Sequence, residues 1–427
     1  MHSFKNRCNI SKSKIVFINR FYWPDNSATS QILTDLAEHL SSGGIDVCVV
    51  TSRLSYVSAD LLFPSDDRRK GVRIYRIWTT AFQRRSFLGR MLDFLTFYIM
   101  STWTLLKIVR SGDTVIAKTD PPLIQVFAWL VTKMQGARLV NWCQDLFPEI
   151  LFALNMQQAQ GLLGTTLHKV RNYALKNAAM NVTISQEMKK TLVLQGIDDS
   201  RVCVIRNWCD RLIVPVSDEV NTLKHQWSLQ DQFVIGYSGN LGRAHIADKV
   251  YGLLDALADE NGLKFVFIGS GHGMNWLREQ SQRSGHRHVV FKPLQPNAHL
   301  SLSLSLPDVH LISLGRRCNE FLAPSKFYGV LAAGRPIVFL GDPKCDLARE
   351  IVEMELGVTL NIDSEPSWRA IVLELMRDKS KLAAMTANAR SAYEAHFEAT
   401  HSLSAWRQVL QPTPTLSEST GFTSMAR

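Results

Sequence analysis

Short apolar segments alternate with amphipathic segments along most of this chain, and this alternation restricts the fold more than any other feature of the sequence. The first apolar run is Lys14–Asn19, and the second is Asp46–Val50. The segment between them places apolar side chains on one face of a helix, at Ile32, Leu33, Leu36, Ala37 and Leu40. Uniformly apolar strands joined by helices are typical of parallel sheets covered on both faces. The sequence therefore predicts an α/β protein that opens with a Rossmann-like βαβ unit.

The same pattern continues through the first half of the chain and restarts in the second. Further strands of the first half are predicted at Thr114–Lys118, Arg138–Trp142, Asn181–Ile184 and Val202–Ile205. Those of the second half are predicted at Gln232–Tyr237, Lys264–Ile268, Val289–Phe291, Asp308–Ile312 and Ile337–Leu340. At 427 residues the chain is too long for one hydrophobic core of ordinary size. We therefore predict two Rossmann-like domains at residues 14–212 and 232–386, a polar linker at 213–231, a helix at 387–410 and a disordered tail at 411–427.

The composition indicates the class of partner and the cellular compartment of the protein. Lys and Arg number 48 and Asp and Glu 38, so the formal net charge is +10. This charge favours anionic partners such as nucleotide phosphates, nucleic acid or an acidic membrane surface. The seven cysteines form no CxxC pair and no metal-ligand spacing, which indicates buried thiols in a reducing cytoplasm. No apolar core of a signal peptide precedes the first predicted strand.

A group of cations precedes a long apolar segment in the first half. Between Arg68 and Arg90 the chain carries eight Lys and Arg residues and no acidic residue, and Met91–Val109 is then apolar nearly all round. A transmembrane span needs about 20 apolar residues, and Asp93 and Lys107 interrupt this segment. Two interpretations remain open: a buried helix of the first domain, or a helix that is partly core and partly in contact with a bilayer. No known nucleic-acid-binding motif accompanies the cations, so we expect the partner of Arg68–Arg90 to be the anionic inner-membrane surface and not nucleic acid.

Three segments of the second half combine glycine or a helix start with a cation. They are Gly239-Asn240-Leu241-Gly242-Arg243, Gly269-Ser270-Gly271 and Pro324-Ser325-Lys326. Each follows a predicted strand or opens a helix, so all three belong at the carboxyl edge of the sheet, where open α/β sheets bind ligands. Glycine allows backbone N–H groups to approach a pyrophosphate, which Arg243 and Lys326 can neutralise. In the first half, Asp145 directly follows a strand at the same kind of edge, a position that a helix N-cap explains equally well.

Further segments agree with motifs of a known enzyme family. They are Phe21-Tyr22-Trp23-Pro24, Gln144-Asp145-Leu146-Phe147-Pro148-Glu149, Asn207, and Ala332-Ala333-Gly334-Arg335-Pro336, in addition to the glycine-containing segments and Pro324-Ser325-Lys326. With them the chain, from about Lys14 to Leu410, resembles GT-B retaining glycosyltransferases of family 4. It is most similar to the bacterial colanic-acid and O-antigen fucosyl- or N-acetylfucosaminyl-transferases. The resemblance implies two facing Rossmann-like domains with parallel sheets and an interdomain cleft, with the helix at 387–410 crossing back to the first domain.

The resemblance also implies roles for individual residues. Asp145 would lie near the transferring sugar, while Arg243 and Lys326 would hold the donor pyrophosphate, and these three are the expected catalytic residues. The expected donor-binding residues are Gly239, Asn240, Leu241, Gly242, Gly269, Gly271, Glu320, Pro324 and Ser325, and those on the acceptor side are Asn26 and Ser27. No metal or other cofactor is expected, because the cations compensate the charge of the leaving diphosphate.

The implied reaction is retaining transfer of a hexosyl or deoxyhexosyl group from a nucleotide-diphosphate donor to a lipid-linked or oligosaccharide acceptor. It would belong to bacterial exopolysaccharide or O-antigen synthesis, in a cytoplasmic enzyme attached peripherally to the inner membrane. The chain departs from the family pattern at Gly329, where the family has a ribose-binding glutamate, and at Asn240 and His245, where it has Arg and Lys. These departures keep a non-catalytic glycosyltransferase-like subunit open as an alternative. A GT-B sugar-nucleotide epimerase is a further alternative, which the apolar, basic first domain disfavours because a soluble substrate does not need it.

Overall fold

A computed structural model describes residues 13–25, 27–55, 62–82, 87–154 and 161–411. Within them the chain forms an eight-stranded and a six-stranded sheet, each flanked by helices on both faces. All neighbouring strands are parallel apart from one antiparallel pair at the edge of the first sheet. The predicted fold class, α/β with two Rossmann-like domains, is confirmed.

The first sheet has the strand order β3-β4-β2-β1-β5-β6-β7-β8. Its strands are β1 (Ile15–Ile18), β2 (Val47–Ser52), β3 (Asp66–Arg69), β4 (Val72–Ile77), β5 (Thr114–Lys118), β6 (Arg138–Cys143), β7 (Met180–Thr183) and β8 (Val202–Val204). Its helices are α1 (Ala28–Ser42), α2 (Phe87–Ile108), α3 (Ile124–Gln135), α4 (Glu149–Ala153), α5 (Leu162–Lys176) and α6 (Gln186–Leu194). Ser27 begins α1 by accepting the Ser30 N–H, and Ser185 begins α6 by accepting the Met188 N–H.

The second sheet has the order β11-β10-β9-β12-β13-β14. Its strands are β9 (Phe233–Asn240), β10 (Leu263–Ser270), β11 (Val289–Lys292), β12 (Val309–Ser313), β13 (Ile337–Gly341) and β14 (Gly357–Asn361). The remaining helices are α7 (Thr222–Gln226), α8 (Ala247–Ala256), α9 (His272–Arg283), α10 (Leu300–Ser305), α11 (Lys326–Ala332), α12 (Asp346–Glu353), α13 (Glu365–Arg377), α14 (Lys379–Ala392) and α15 (Ala399–Leu410).

The segment 213–231, expected to be a polar linker, packs against the second domain. Leu223 and Leu229 are buried in a cluster with strands β9 and β10. The ammonium group of Lys224 is also buried, where it bonds Asp218 and lies 3.7 Å from Asp308. The polar composition that suggested a linker therefore reflects a buried ion-pair network, which the sequence pattern does not distinguish from a solvated segment.

The end of the chain returns to the first domain. After α14, one turn of π-helix at Tyr393–Phe397 leads into α15. Leu403 and Trp406 of α15 are buried in the first domain's core, where the Trp406 ring lies 4.7 Å from the Trp142 ring, centroid to centroid. The tail expected to be disordered lies outside the described residues beyond Gln411.

Helix α2 has two different apolar faces. Phe97, Ser101 and Leu105 are buried against the sheet. Asp93 is also buried, where it accepts bonds from Thr80 and from the Phe82 N–H and pairs with Arg20 at 3.5 Å. The opposite face exposes large apolar side chains at Leu88, Met91, Leu92, Leu95, Ile99 and Trp103. Among the described residues, no helix has the length and hydropathy needed to cross a bilayer.

The cations of Arg68–Arg90 do not form a single free patch. Strands β3 and β4 form an edge hairpin there, which the charge pattern did not predict. Arg69 and Lys70 bond Glu38, and the buried Arg76 bonds Asp67 at 2.8 Å. Arg84 and Arg85 lie outside the described residues. The structure therefore assigns several of these cations to contacts within the first domain, and only part of the group remains available to a partner.

Candidate active site

The carboxyl edges of the two sheets enclose a cleft cavity of about 800 Å³. The first domain contributes the loop before α1, the inner face of α1 and the segment after β8, represented by Ser27, Asp35 and Trp208. The second domain contributes the end of β9, the segment before α10 and the start of α11. Ligands of open parallel sheets bind at this edge because loops from several strands converge there.

Lys326 is the cation of the second domain that faces this cavity. Its ammonium group donates a hydrogen bond to the Tyr237 hydroxyl and lies 3.7 Å from the centroid of the Tyr237 ring. Within the described part of the chain, no carboxylate pairs with it. Burial lowers the pKa of Lys326 to about 7, because the charged form is desolvated with no counterion nearby. An anion bound in the cavity would supply that counterion.

His245 lies beside Lys326 on the cavity wall. Its Nδ1 is bonded to the Ser313 carbonyl oxygen. Burial, together with the charge of Lys326, lowers the pKa of His245 to about 3. The imidazole is therefore neutral near pH 7, with Nδ1 as the donor and Nε2 as an acceptor. His245 shapes this wall without adding a positive charge to it.

The segments Gly239–Arg243 and Gly269–Gly271 lie next to each other, but only some of their residues line the cavity. Gly239 and Asn240 line it, and the left-handed φ of +114° at Gly239 favours glycine. A Cβ at Gly269 would lie 2.2 Å from the Gly239 carbonyl oxygen, and one at Gly271 would lie 2.3 Å from Asn240 Oδ1. These two glycines therefore let the ends of β9 and β10 approach each other. Leu241 is fully buried in the core, and Gly242 follows it in the turn.

Pro324 and Ser325 line the cavity next to Lys326. Ser325 precedes α11, but its side chain caps no N–H group of that helix. Arg243 and Glu320 are exposed and do not line the cavity. Arg243 was expected to hold the pyrophosphate together with Lys326, but in this structure the turn after Gly242 directs Arg243 toward solvent, and only Lys326 faces the cavity.

Asp145 belongs to a second group of charges at the edge of the first sheet, where it follows β6. It caps no helix, since Pro148 precedes α4. Asp145 is exposed on one side, while many protein atoms on its other side desolvate the carboxylate. Burial, reinforced by the charge of Asp120 and opposed by Lys118, raises the pKa of Asp145 to about 6. Such a carboxyl group can exchange a proton near neutral pH.

Lys118 lies between α1 and the carboxylates Asp120 and Asp145. Its ammonium donates to the Thr29 carbonyl oxygen at 2.7 Å and lies 4.1 Å from the Trp142 ring centroid. Burial lowers the pKa of Lys118 to about 7, while Asp120 and Asp145 oppose that shift. Of the two residues that the resemblance assigned to the acceptor, Ser27 lines the cavity, whereas Asn26 lies outside the described residues.

Sequence reasoning missed several residues of the cavity. Trp208 was not expected there, because it lies in the turn after β8 and its type suggests core packing. Asp35 and Asp210 were also missed; Asp35 lies on α1 among helix-surface positions. The described part of the chain contains no group of three or more His, Cys, Asp or Glu side chains placed to hold a metal ion.

Solved structures of similar fold cover nearly the whole chain. HepE from Anabaena, solved with UDP-glucose, has a TM-score of 0.69 at 17% identity and covers 93% of this chain and 99% of its own. Sucrose-phosphate synthase from Thermosynechococcus elongatus has a TM-score of 0.75 at 14% identity, covering 93% and 98%. Together with the two facing sheets and their cleft, these likenesses define the GT-B fold.

Sequence comparison finds a similar domain in the first half of the chain and similar bacterial enzymes. Residues 28–208 match the family described as "Glycosyl transferase 4-like domain". The colanic acid biosynthesis glycosyl transferase WcaI of Escherichia coli (strain K12) is 26% identical over 371 residues, which are 82% of this chain and 89% of WcaI. The glycosyltransferase WbjE of Pseudomonas aeruginosa is 24% identical over 250 residues, 58% of this chain and 62% of WbjE. The chain is therefore a glycosyltransferase whose residues 28–208 are similar to a glycosyl transferase 4-like domain, and it is similar over most of its length to a colanic acid biosynthesis glycosyl transferase.

Proposed function

We propose that this glycosyltransferase moves a hexosyl or deoxyhexosyl group from a nucleotide-diphosphate donor to a lipid-linked oligosaccharide, with retention of configuration, in exopolysaccharide or O-antigen synthesis. The observation that carries the proposal is Lys326, a desolvated ammonium at the cleft with no carboxylate partner in the described chain. The HepE complex with UDP-glucose and the relationship to WcaI support the donor class and the pathway class.

The geometry suggests a role in the reaction for each of these residues. The donor diphosphate would lie against Lys326 and the loop at Gly239-Asn240, which stabilise the negative charge that develops on the leaving group. A fixed cation in a water-poor cleft favours that charge more than bulk water does. Attack by the acceptor from the same face as the departing diphosphate would retain configuration, and Asp145 would lie toward the acceptor. In this proposal no metal ion takes part.

Calorimetric titration with UDP-, GDP- and dTDP-sugars tests the donor class, and Lys326→Met tests the assigned cation. A hydrogen bond to a charged group contributes about 1.5–3 kcal/mol. Lys326→Met should therefore weaken donor binding by about 10- to 100-fold and reduce turnover at least as much. Methionine preserves much of the side-chain volume, so the far-ultraviolet circular dichroism should be unchanged.

Lys344→Met is the matched control, because Lys344 is an exposed cation of the same domain that does not line the cleft. It should bind and transfer like the wild type. Binding of no nucleotide sugar by the wild-type chain would favour the non-catalytic subunit instead. Unchanged donor affinity in Lys326→Met would remove the assigned diphosphate site.

We also propose that the exposed apolar face of α2 holds the enzyme at the inner-membrane surface, where a lipid-linked acceptor is found. Leu88 is 74% exposed, Ile99 58% and Trp103 55%. Lys107 lies 3.1 Å from the centroid of the Trp103 ring, so a cation borders the apolar face. An apolar stripe edged by cations fits the boundary between lipid headgroups and acyl chains, and the partly paired cations of Arg68–Arg90 would add to it.

Flotation with vesicles containing anionic phosphatidylglycerol tests this attachment. The triple variant Leu92→Gln, Leu95→Gln, Ile99→Gln should lose most of its vesicle binding, because it removes the centre of the apolar face while leaving the buried face intact. Leu194→Gln is the control, since Leu194 is 88% exposed on α6, away from α2. Equal flotation of the triple variant and the wild type would remove α2 as the attachment surface.

A further inference from the structure

A short segment of the first domain crosses to the second domain beside the cleft. It begins at Asp145, directly after β6, and continues into α4. Helix α4 contacts the turn at Arg316–Cys318 of the second domain. The side chains of this helix region that pack against the hydrophobic core of the second domain are Ile150, Ala153 and Leu154. The position of Asp145 relative to the second domain therefore depends on this packing.

A segment of the second domain crosses in the opposite direction. Phe321 and Ala323 pack against a buried cluster of the first domain that contains Leu146. The Leu146 N–H also donates to the Phe321 carbonyl oxygen at 2.9 Å. Leu146 directly follows Asp145, and Phe321 lies a few residues before Lys326. The two segments therefore connect the charged group at the edge of the first sheet to the cation of the second domain.

The second-domain segment has a cavity on each side. Residues 322–324 line the cleft cavity and also a smaller cavity of about 290 Å³ behind it. The other wall of the smaller cavity includes the starts of α6 and α12, which form a separate contact between the domains. A side chain that faces a cavity has no packing partner there. The position of the segment therefore depends on its two ends, the start of α11 and the contact of Phe321 with the first domain.

We propose that Phe321 is a positioning residue, whose contact with the first domain fixes the spacing between Asp145 and Lys326 for glycosyl transfer. This role rests on the proposed function, in which the donor lies at Lys326 and the acceptor toward Asp145. A displacement of reacting groups by about 1 Å can cost about 100-fold in rate. Lys326 bonds Tyr237 within the second domain, so its contact with the donor does not require Phe321. Phe321 therefore affects turnover and not donor binding.

Phe321→Ala separates these two effects. Turnover is measured as release of the nucleoside diphosphate from the UDP-, GDP- or dTDP-sugar that the wild type binds. Phe321→Ala should lower kcat by about 10- to 100-fold and leave the Kd of that nucleotide sugar within about twofold of the wild-type value. Phe321→Leu keeps most of the apolar packing and should restore most of kcat. Rescue by leucine with an unchanged Kd distinguishes positioning from a general loss of structure.

Two variants of α4 complete the series. Ile150→Ala removes a contact from the first-domain segment, so it should also lower kcat at unchanged Kd, and it decides the question if Phe321→Ala does not fold. Phe152→Ala is the matched control. Phe152 is 38% exposed on the same helix and is not among the side chains that pack against the second domain. This variant should keep the wild-type kcat and Kd.

Hydrogen exchange tests the contact without any substrate. Exchange of the Leu146 N–H should be at least about tenfold faster in Phe321→Ala than in the wild type, and Phe152→Ala should leave it unchanged. Unchanged exchange, an unchanged kcat, or a donor affinity that falls in parallel with kcat would overturn the inference while leaving the proposed function intact. Failure of the wild type to bind or cleave any of these nucleotide sugars would overturn both.

Discussion

Burial disfavours the protonated form of Lys326, so the protonation of this side chain is coupled to the binding of an anion. Its pKa is about 7 without a ligand, and a neighbouring diphosphate would raise it, because an opposite charge favours the protonated form. The complex therefore takes up a proton when it forms above about pH 7. His245, with a pKa of about 3, stays neutral over this range and contributes nothing to it.

The affinity for UDP should consequently fall between pH 7 and pH 9. The fall is at most about tenfold per pH unit for one linked proton, and the affinity should be nearly flat just below pH 7. Titration in buffers of different ionisation enthalpy measures the proton uptake directly. In Lys326→Arg the side chain remains charged, so both the slope and the uptake should disappear. A slope unchanged in Lys326→Arg would assign the linked proton to another group.

At the same scale, the sequence indicates which single residues could bind a ligand but not what surrounds them. Lys326 was predicted to face a ligand because Pro324-Ser325-Lys326 recurs with two glycine-containing segments at the carboxyl edge of the predicted sheet. Its partner Tyr237 was not, because an aromatic residue in an apolar strand looks like core. The expected role of Arg243 came from its place in a glycine segment, and the direction of an exposed side chain in a turn is not encoded in that spacing.

At the scale of elements, helices α6 and α12 cap each other across the two domains. Glu187 accepts the Asp346 N–H, and Asp346 accepts the Glu187 N–H, both at 2.9 Å. Burial raises the pKa of Glu187 to about 7; the charge of Asp346 adds to the rise, and the Asp346 N–H, Arg349 and Lys190 oppose it. Because the folded pKa lies above the unfolded one, the folded protein binds more protons between pH 4.5 and 7. Stability contributed by this contact is therefore lost as pH rises through that interval.

Glu187→Gln should stabilise the protein at pH 8, because glutamine still accepts the Asp346 N–H without a desolvated charge. The expected gain is about 2 kcal/mol, and it should become small at pH 5 and vanish below pH 4.5, where Glu187 is protonated in the folded and unfolded states. Glu187→Ala also removes the charge but loses the cap, so it should be about 1 kcal/mol less stable than Glu187→Gln at both pH values. Chemical denaturation at the two pH values measures these differences. A gain in Glu187→Gln that does not depend on pH would contradict the titration of Glu187.

Among the elements, the sequence predicted the central strands but not the edge strand β3. Strand β5 was predicted with its observed bounds, Thr114–Lys118, because a buried parallel strand is a continuous apolar run. Strand β3, Asp66–Arg69, contains only charged residues and is stabilised by pairing with β4. Hydrophobic patterning contains no signal for such a strand.

At the scale of the whole molecule, α15 links the end of the chain to the first domain. Trp406 is fully buried beside Trp142. Trp406→Ala should cost about 3–5 kcal/mol and lower the unfolding transition of the first domain. Trp78→Ala is the control, since Trp78 is 58% exposed, and it should change stability by less than about 0.5 kcal/mol. Calorimetry of both variants measures the effect, and a first-domain transition unchanged in Trp406→Ala would show that α15 adds no stability there.

The two-domain architecture followed from the restart of the strand–helix alternation, and the cleft from the convergence of its loops. The packing of the segment 213–231 against the second domain did not follow from the pattern. Its burial depends on Lys224 meeting Asp218 and Asp308, which are 6 and 84 residues away along the chain. Contacts of this kind are fixed by tertiary structure and have no local periodicity.

The return of α15 to the first core also affects how the protein is made. A ribosome synthesises the first domain's sheet early, yet the tryptophan that completes its core is added only after the entire second domain has been translated. Throughout that interval the nascent first domain carries an open apolar groove where α15 will pack. Such exposed surface is prone to aggregation and is what chaperones bind, so newly made chains depend on protection until translation has passed the last helix.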